Sequence, residues 1–260
     1  MKFDRDSLRQ WSNLVAIITA FGANILANIN PINNLSIGDI SNTFFREVLI
    51  IPANYAFAIW GLIYLGLISL AIYQALPAQK NNSRLRKMGY FLAIASLAQI
   101  IWIYLFQSQL FVLSLVAMIV ILLSLIALYL RLEIAIHPVS RREKWLVNFP
   151  VSIYLAWISV ATIVNAASVL DNIGWNGWGI SPLLWTIAMM LVATALAAII
   201  AVWRNDLAYA GVVIWALVAI AVRHIDIFAL AGTAAGLAII LILLLGIRWS
   251  RFWQVSHSNV

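Results

Sequence analysis

The sequence predicts an all-α fold, a polytopic membrane helix bundle of about eight transmembrane helices. Three observations predict it. Hydrophobic residues fill 64% of the 260 positions and charged residues only 10%, against about 25% charged in an average soluble domain. The charges are segregated: residues 10–38, 53–79, 88–130, 145–170, 172–203 and 227–247 contain no Asp, Glu, Lys or Arg. These runs are continuous rather than alternating, which argues against a closed β-barrel.

A helix needs about 20 apolar residues to cross hydrocarbon roughly 30 Å thick. The first run then holds one helix, at 12–29. It lacks a small-residue cleavage pattern and is expected to be a retained span. A second helix is expected at 54–77. The run 88–130 is too long for one crossing and divides into 89–107 and 110–131. The fifth helix is expected at 146–168 and the sixth at 182–203. A short seventh, 207–222, and an eighth, 226–247, complete the set.

Basic residues test this order. Lys2, Arg5 and Arg9 precede the first helix. Lys80, Arg84, Arg86 and Lys87 follow the second. Arg131, Arg141, Arg142 and Lys144 follow the fourth. Arg204 follows the sixth, and Arg248 and Arg251 follow the eighth. All fourteen fall on one side, leaving Arg46 and Arg223 on the other. The positive-inside rule therefore places both termini on the cytoplasmic-like side. The net charge of +7 reflects topology and calls for no nucleic acid. The absence of cysteine removes disulfides and thiolate metal sites.

Two longer connections, 30–53 and 169–181, lie on the basic-poor side. The first is rich in turn formers: Asn30, Pro31, Asn33, Asn34 and Gly38. The second carries Gly174, Gly177 and Gly179 together with Trp175 and Trp178, which suit the headgroup level.

Twelve tryptophans are present. Trp11, Trp145, Trp203, Trp249 and Trp253 stand near helix ends and read as an interfacial belt. Trp60, Trp102, Trp157 and Trp215 fall inside spans. At about 1.5 Å of rise per residue they lie roughly 8–16 Å below the basic-poor face. Three helices carry aromatic or polar stripes at helical spacing. These are Phe57, Trp60 and Tyr64; Gln99, Trp102 and Phe106; and Pro150, Tyr154, Trp157, Ala161 and Asn165. The amides of Gln99 and Asn165 are costly against lipid and should face the bundle interior. Ordinary packing, with amides bonding across helices, would produce such stripes. So would an apolar, aromatic-lined site for a planar ligand with a few polar groups to orient it.

Other functions are disfavoured. No lysine lies mid-span to carry a retinal Schiff base, and no Asp or Glu lies deep enough for a carboxylate proton relay. His137, His224 and His257 have no metal-ligand companions at helical spacing. Nothing forms an acid–base or nucleophile constellation, so no catalytic residue is nominated. Arg223, His224 and Asp226 read either as a charged hairpin tip or as a mouth for an acidic group.

The stripes also carry a resemblance. The run PANYAFAIWGLIY at 52–64 resembles the second-helix signature of the translocator protein family, the tryptophan-rich sensory (TspO/MBR) group. Pro52, Trp60 and Tyr64 match in register, Ile51 replaces the first proline of a pair, and Phe57 is displaced by one position. The run ASLAQIIWIYLF at 95–106 is similar to the third-helix motif, with Trp102 and Phe106 in place and Gln99 where the family has Asn. The run YLAWISVATIVN at 154–165 matches at Tyr154, Trp157, Ser159, Ala161, Thr162 and Asn165.

This resemblance covers about residues 12–170 and implies a five-helix bundle. Residues 171–260 would add a three-helix membrane segment packed on it, outside the family pattern. It further implies a multi-pass sensor or carrier that binds porphyrins, and in some members sterols, in an intramembrane pocket. Ligand-lining positions would be Phe57, Trp60, Tyr64, Gln99, Trp102, Phe106, Tyr154, Trp157, Ala161 and Asn165. Protoporphyrin IX or haem would be a ligand rather than a required cofactor. The expected partners are the lipid bilayer and a porphyrin-like or sterol-like small molecule, with a homodimer compatible. Porphyrin breakdown enters by resemblance alone. A small-molecule permease and a ligand-free assembly or scaffold subunit are the competing readings.

Overall fold

Among the described residues eight long helices follow one another, as the charge-free runs require. They are α1 (Arg5–Ile29), α2 (Ile59–Ala75), α3 (Phe91–Gln107), α4 (Phe111–Arg131), α5 (Phe149–Asn172), α6 (Pro182–Arg204), α7 (Leu207–Arg223) and α8 (Phe228–His257). This computed structural model describes residues 4–257, and the side chains as far as residue 248. Lys2 lies outside the described residues, as do the side chains of Trp249, Arg251, Trp253 and His257. Every helix or strand among the described residues is helical. Six helical stretches are long and apolar enough to cross a membrane; α3 and α7, at 17 residues each, are shorter apolar helices at the lower limit for a span. The chain is an integral, multi-pass helical membrane protein.

Local chemistry sets the ends. Asp4 caps α1, accepting from Asp6 N at 3.2 Å. Ser181 caps α6, with Pro182 in its first turn. That helix stops at Asn205, which takes a left-handed conformation. Asp206 then caps α7, accepting from Tyr209 N at 3.1 Å. The connection 30–53 contains a short helix, Ile37–Thr43, opened by a capping box between Ser36 and Asp39.

Two compact units result. The first takes Met1–Val48 and Phe57–Trp175. Within it, α1 packs on α2, α2 on α5, α5 on α4, α4 on α3, and α3 back on α1, a closed ring of five helices. Side-chain bonds give the registers. Gln10 Nε2 donates to the Gln74 carbonyl at 2.5 Å, and the Tyr64 hydroxyl donates to the Ala20 carbonyl at 3.3 Å. Numbers fall on α2 as they rise on α1, so the pair is antiparallel. Asn13 accepts from Ala93 N at 3.0 Å and Gln107 donates to the Ala27 carbonyl at 2.8 Å, so α1 and α3 run parallel.

Outward faces are apolar. On α4, Leu113, Val116, Val120 and Leu123 are exposed, while Ser114, Ile121, Leu125 and Leu128 are buried. This is the pattern of a helix with lipid on one side and polar glue on the other. By contrast, Pro150–Ile158 of α5 is buried on every face. At the basic end Arg9, 5% exposed, donates to the Leu85 carbonyl at 2.9 Å. Arg84 donates to the Leu132 carbonyl at 3.0 Å and to Asn148 Oδ1 at 2.6 Å. These two guanidiniums tie the loop after α2 to the ring.

The second unit takes Leu49–Ala56 and Asn176–Val260. Its helices α6, α7 and α8 each pack on the other two. Leu49–Ala56 is therefore grouped away from its sequence neighbours.

Candidate functional site

Inside the first unit, α2 and α5 meet along an aromatic ladder. Phe57 meets Trp157 edge-on with ring centroids 6.2 Å apart, and Trp60 meets Tyr154 at 6.0 Å. Trp60 also lies 5.5 Å from Tyr64, whose other neighbour is Phe21 at 5.1 Å. Numbers fall on one helix as they rise on the other, so these helices are antiparallel. The close approach continues to Gly66, where a Cβ would sit 3.1 Å from the Pro150 ring. A side chain there would require the Pro150 ring to give by a few tenths of an ångström.

A second aromatic group gathers around α3. Trp102 stacks on Phe106 at 5.1 Å, Phe106 meets Phe111 at 5.4 Å, and Phe45 meets Phe111 at 4.7 Å. Trp102 Nε1 donates to Asn165 Oδ1 at 3.0 Å. The Asn165 amide nitrogen donates to Ser114 Oγ at 3.3 Å. One polar node thus joins α3, α4 and α5. The polar atoms of Trp102 and the Asn165 side chain are engaged by one another and by Ser114.

Gln99 and Trp157 differ. Gln99 is 1% exposed, yet neither its amide nitrogen nor its amide oxygen has a hydrogen-bond partner. Trp157 is 3% exposed and its Nε1 is likewise unpartnered. A buried unsatisfied polar group costs about 1–3 kcal/mol, so these three atoms, set apart from the unpartnered side-chain atoms of Arg9, Gln74 and Arg84 at the basic end, call for an explanation. Helix direction gives their relative levels. α1 is parallel to α3 and antiparallel to α2, and α2 is antiparallel to α5, so α3 and α5 are parallel. Stepping back one turn from the Trp102–Asn165 bond brings Gln99 level with Ala161. Trp157 lies one turn further along the same face of α5. Ala161, between Trp157 and Asn165 on that face, is half-buried.

The ten positions nominated from sequence thus divide by their surroundings. Phe57, Trp60, Tyr64, Tyr154 and Trp157 share the α2–α5 ladder. Trp102, Phe106 and Asn165 share the α3–α4–α5 node. Gln99 lies one turn before Trp102 on α3, and Ala161 one turn before Asn165 on α5. Trp215, placed at the same depth by sequence, belongs to the second unit, where its Nε1 donates to the Ala56 carbonyl at 3.1 Å. Phe21, Phe45 and Ser114 were not anticipated. Of these, Ser114 carried the only readable signal, a hydroxyl within a long apolar run.

Among the described residues, no group of three or more His, Asp or Glu side chains is placed to hold a metal ion. The family described as TSPO-like protein matches residues 10–247. That match runs from the first helix into the eighth, well beyond the 12–170 stretch in which the three motifs lie. No curated protein and no solved structure matches the chain.

Proposed function

The chain belongs to the TSPO-like family, and from that membership we propose that it is a membrane sensor or carrier binding a planar, largely apolar ligand of the tetrapyrrole kind. The ligand lies within the five-helix ring, against the ladder of Phe57, Trp60, Tyr64, Tyr154 and Trp157. One observation carries the reading: the Gln99 amide and Trp157 Nε1 are buried without partners. A ligand acceptor would take the Trp157 N–H, and the Gln99 amide would supply one acceptor and two donors. Flat rings would stack on the indole and phenol faces. The family match and the sequence motifs support the ligand class; the unsatisfied atoms support the place. No catalytic step is proposed, since the ring offers no acid–base pair or nucleophile with its base.

The test is a protoporphyrin IX titration of the full chain in lipid nanodiscs, followed by porphyrin absorbance and tryptophan quenching. Saturable quenching is expected. Trp157→Ala should weaken it about tenfold or more, the equivalent of about 1.4 kcal/mol. Trp203→Ala, at a position 80% exposed at the end of α6, should leave the affinity unchanged. Equal effects from the two substitutions, or quenching that never saturates, would sink the proposal.

A further inference from the structure

Leu49–Ala56 has little regular structure to satisfy its backbone, and α7 supplies the partners. Ala53 N donates to the Ala219 carbonyl at 3.0 Å. Trp215 Nε1 donates to the Ala56 carbonyl at 3.1 Å, and Arg223 Nη1 donates to the Pro52 carbonyl at 3.3 Å. The Trp215 ring meets Tyr55 edge-on at 5.2 Å. Ile50 and Ile51 are 6% and 1% exposed. All these groups belong to the second unit. The α7 groups, donors at 215 and 223 and an acceptor carbonyl at 219, are spread over one face of the helix, one turn apart each time.

His224 follows immediately as the C-terminal cap of α7. It is 9% exposed, and its ring faces the carbonyls of Leu49 and Ile51. Its Nε2 is buried and falls outside hydrogen-bond geometry. The ring therefore sits at the joint between helix and strap, against strap carbonyls that favour a proton on it. The charged group acting on it is Arg223, from its own helix. The strap presents only carbonyls there, and Arg46, Glu47 and Asp226 nearby in sequence are exposed.

We propose that α7 and Leu49–Ala56 form an acid-sensitive clasp, gripped through Trp215, Ala219 and Arg223 and loosened when His224 takes up a proton. A second positive charge beside Arg223, on a ring only 9% exposed, is unfavourable. Burial, and then Arg223, push the His224 pKa below its ordinary value. The two carbonyls oppose that shift and are outweighed. The sign follows by linkage. Once the strap is released, His224 titrates near its ordinary value of about 6.5. The released form then binds more protons than the clasped form. The clasp is at full strength above that pH and weakens as pH falls toward the lowered value. The strap ends at Ala56, the residue before Phe57, where the aromatic ladder begins.

Hydrogen–deuterium exchange of the full chain in nanodiscs tests this, read on peptides covering 49–56 and corrected for intrinsic pH dependence. The wild-type strap should lose protection several-fold between about pH 8 and about pH 5, the range in which histidine titrates. His224→Gln, which cannot titrate there, should show a flat profile. Trp215→Phe should lower strap protection at every pH and keep the slope. Peptides from α3 report whether each variant retains its fold. Wild-type protection that ignores pH, a His224→Gln profile sloped like wild type, or a Trp215→Phe strap as protected as wild type would each overturn the clasp. None of these readings depends on the ligand.

Discussion

Asn165 and Gln99 show how the same residue type can serve two ends. Both are amides in apolar helices, and both were legible in the sequence as polar groups that must avoid lipid. Asn165 satisfies that demand with Trp102 Nε1 at 3.0 Å and Ser114 at 3.3 Å. Gln99 leaves it unmet. Sequence could not separate them, because the partner is chosen by the neighbouring helix and not by the helix that carries the amide. Ser114 is hard to assign from sequence because a serine can bond within its own helix, and its hydroxyl does donate to the Phe111 carbonyl at 2.7 Å. If the node is a tie between helices, Asn165→Leu should cost about 1 kcal/mol of stability, the scale of interhelical hydrogen bonds in membranes. Adding Trp102→Phe to that variant should cost less than Trp102→Phe alone. A fully additive double-mutant cycle would show that the bond contributes nothing.

Elements were mostly readable. The weakest expectation, a short helix at 207–222, corresponds to α7 at Leu207–Arg223; Asp206 and Arg223 bracket it, and the apolar run between them is barely long enough to span. The fifth helix, expected at 146–168, runs over Phe149–Asn172 with Pro150 in its first turn. What the sequence hid was long-range. The bonds between Leu49–Ala56 and α7 link residues over 150 positions apart, and most of their acceptors are main-chain carbonyls that leave no side-chain signal. The role of Gly66 was hidden for a similar reason, since its need for space comes from Pro150 on another helix. Gly66→Leu should therefore destabilise the ring by about 1–3 kcal/mol through overpacking. The gain in helix propensity on replacing glycine, about 1 kcal/mol, works against this. A melting temperature equal to or above wild type would mean that the α2–α5 contact yields easily.

Seen whole, the chain is organised by where its charges lie and which buried polar atoms remain unsatisfied. The clustering of basic residues between α2 and α3 and between α4 and α5, with Arg204 ending α6 and Arg248 late in α8, leads us to propose that both termini face the cytoplasmic-like side. The chain has no cysteine, so single cysteines at exposed Glu47 and His137 can report sidedness directly. Opposite labelling in sealed vesicles is expected, and equal labelling would refute the orientation. The central claim is that the bundle keeps polar atoms unsatisfied because a ligand completes them. Thermal unfolding of wild type and Gln99→Leu, each with and without protoporphyrin IX, tests it most directly. Without ligand, the variant should be the more stable of the two, by about 1–3 kcal/mol, because it removes an unsatisfied buried amide. With ligand, wild type should gain more than the variant and close the gap. A variant less stable than wild type without ligand, and stabilised as much by the porphyrin, would contradict the account.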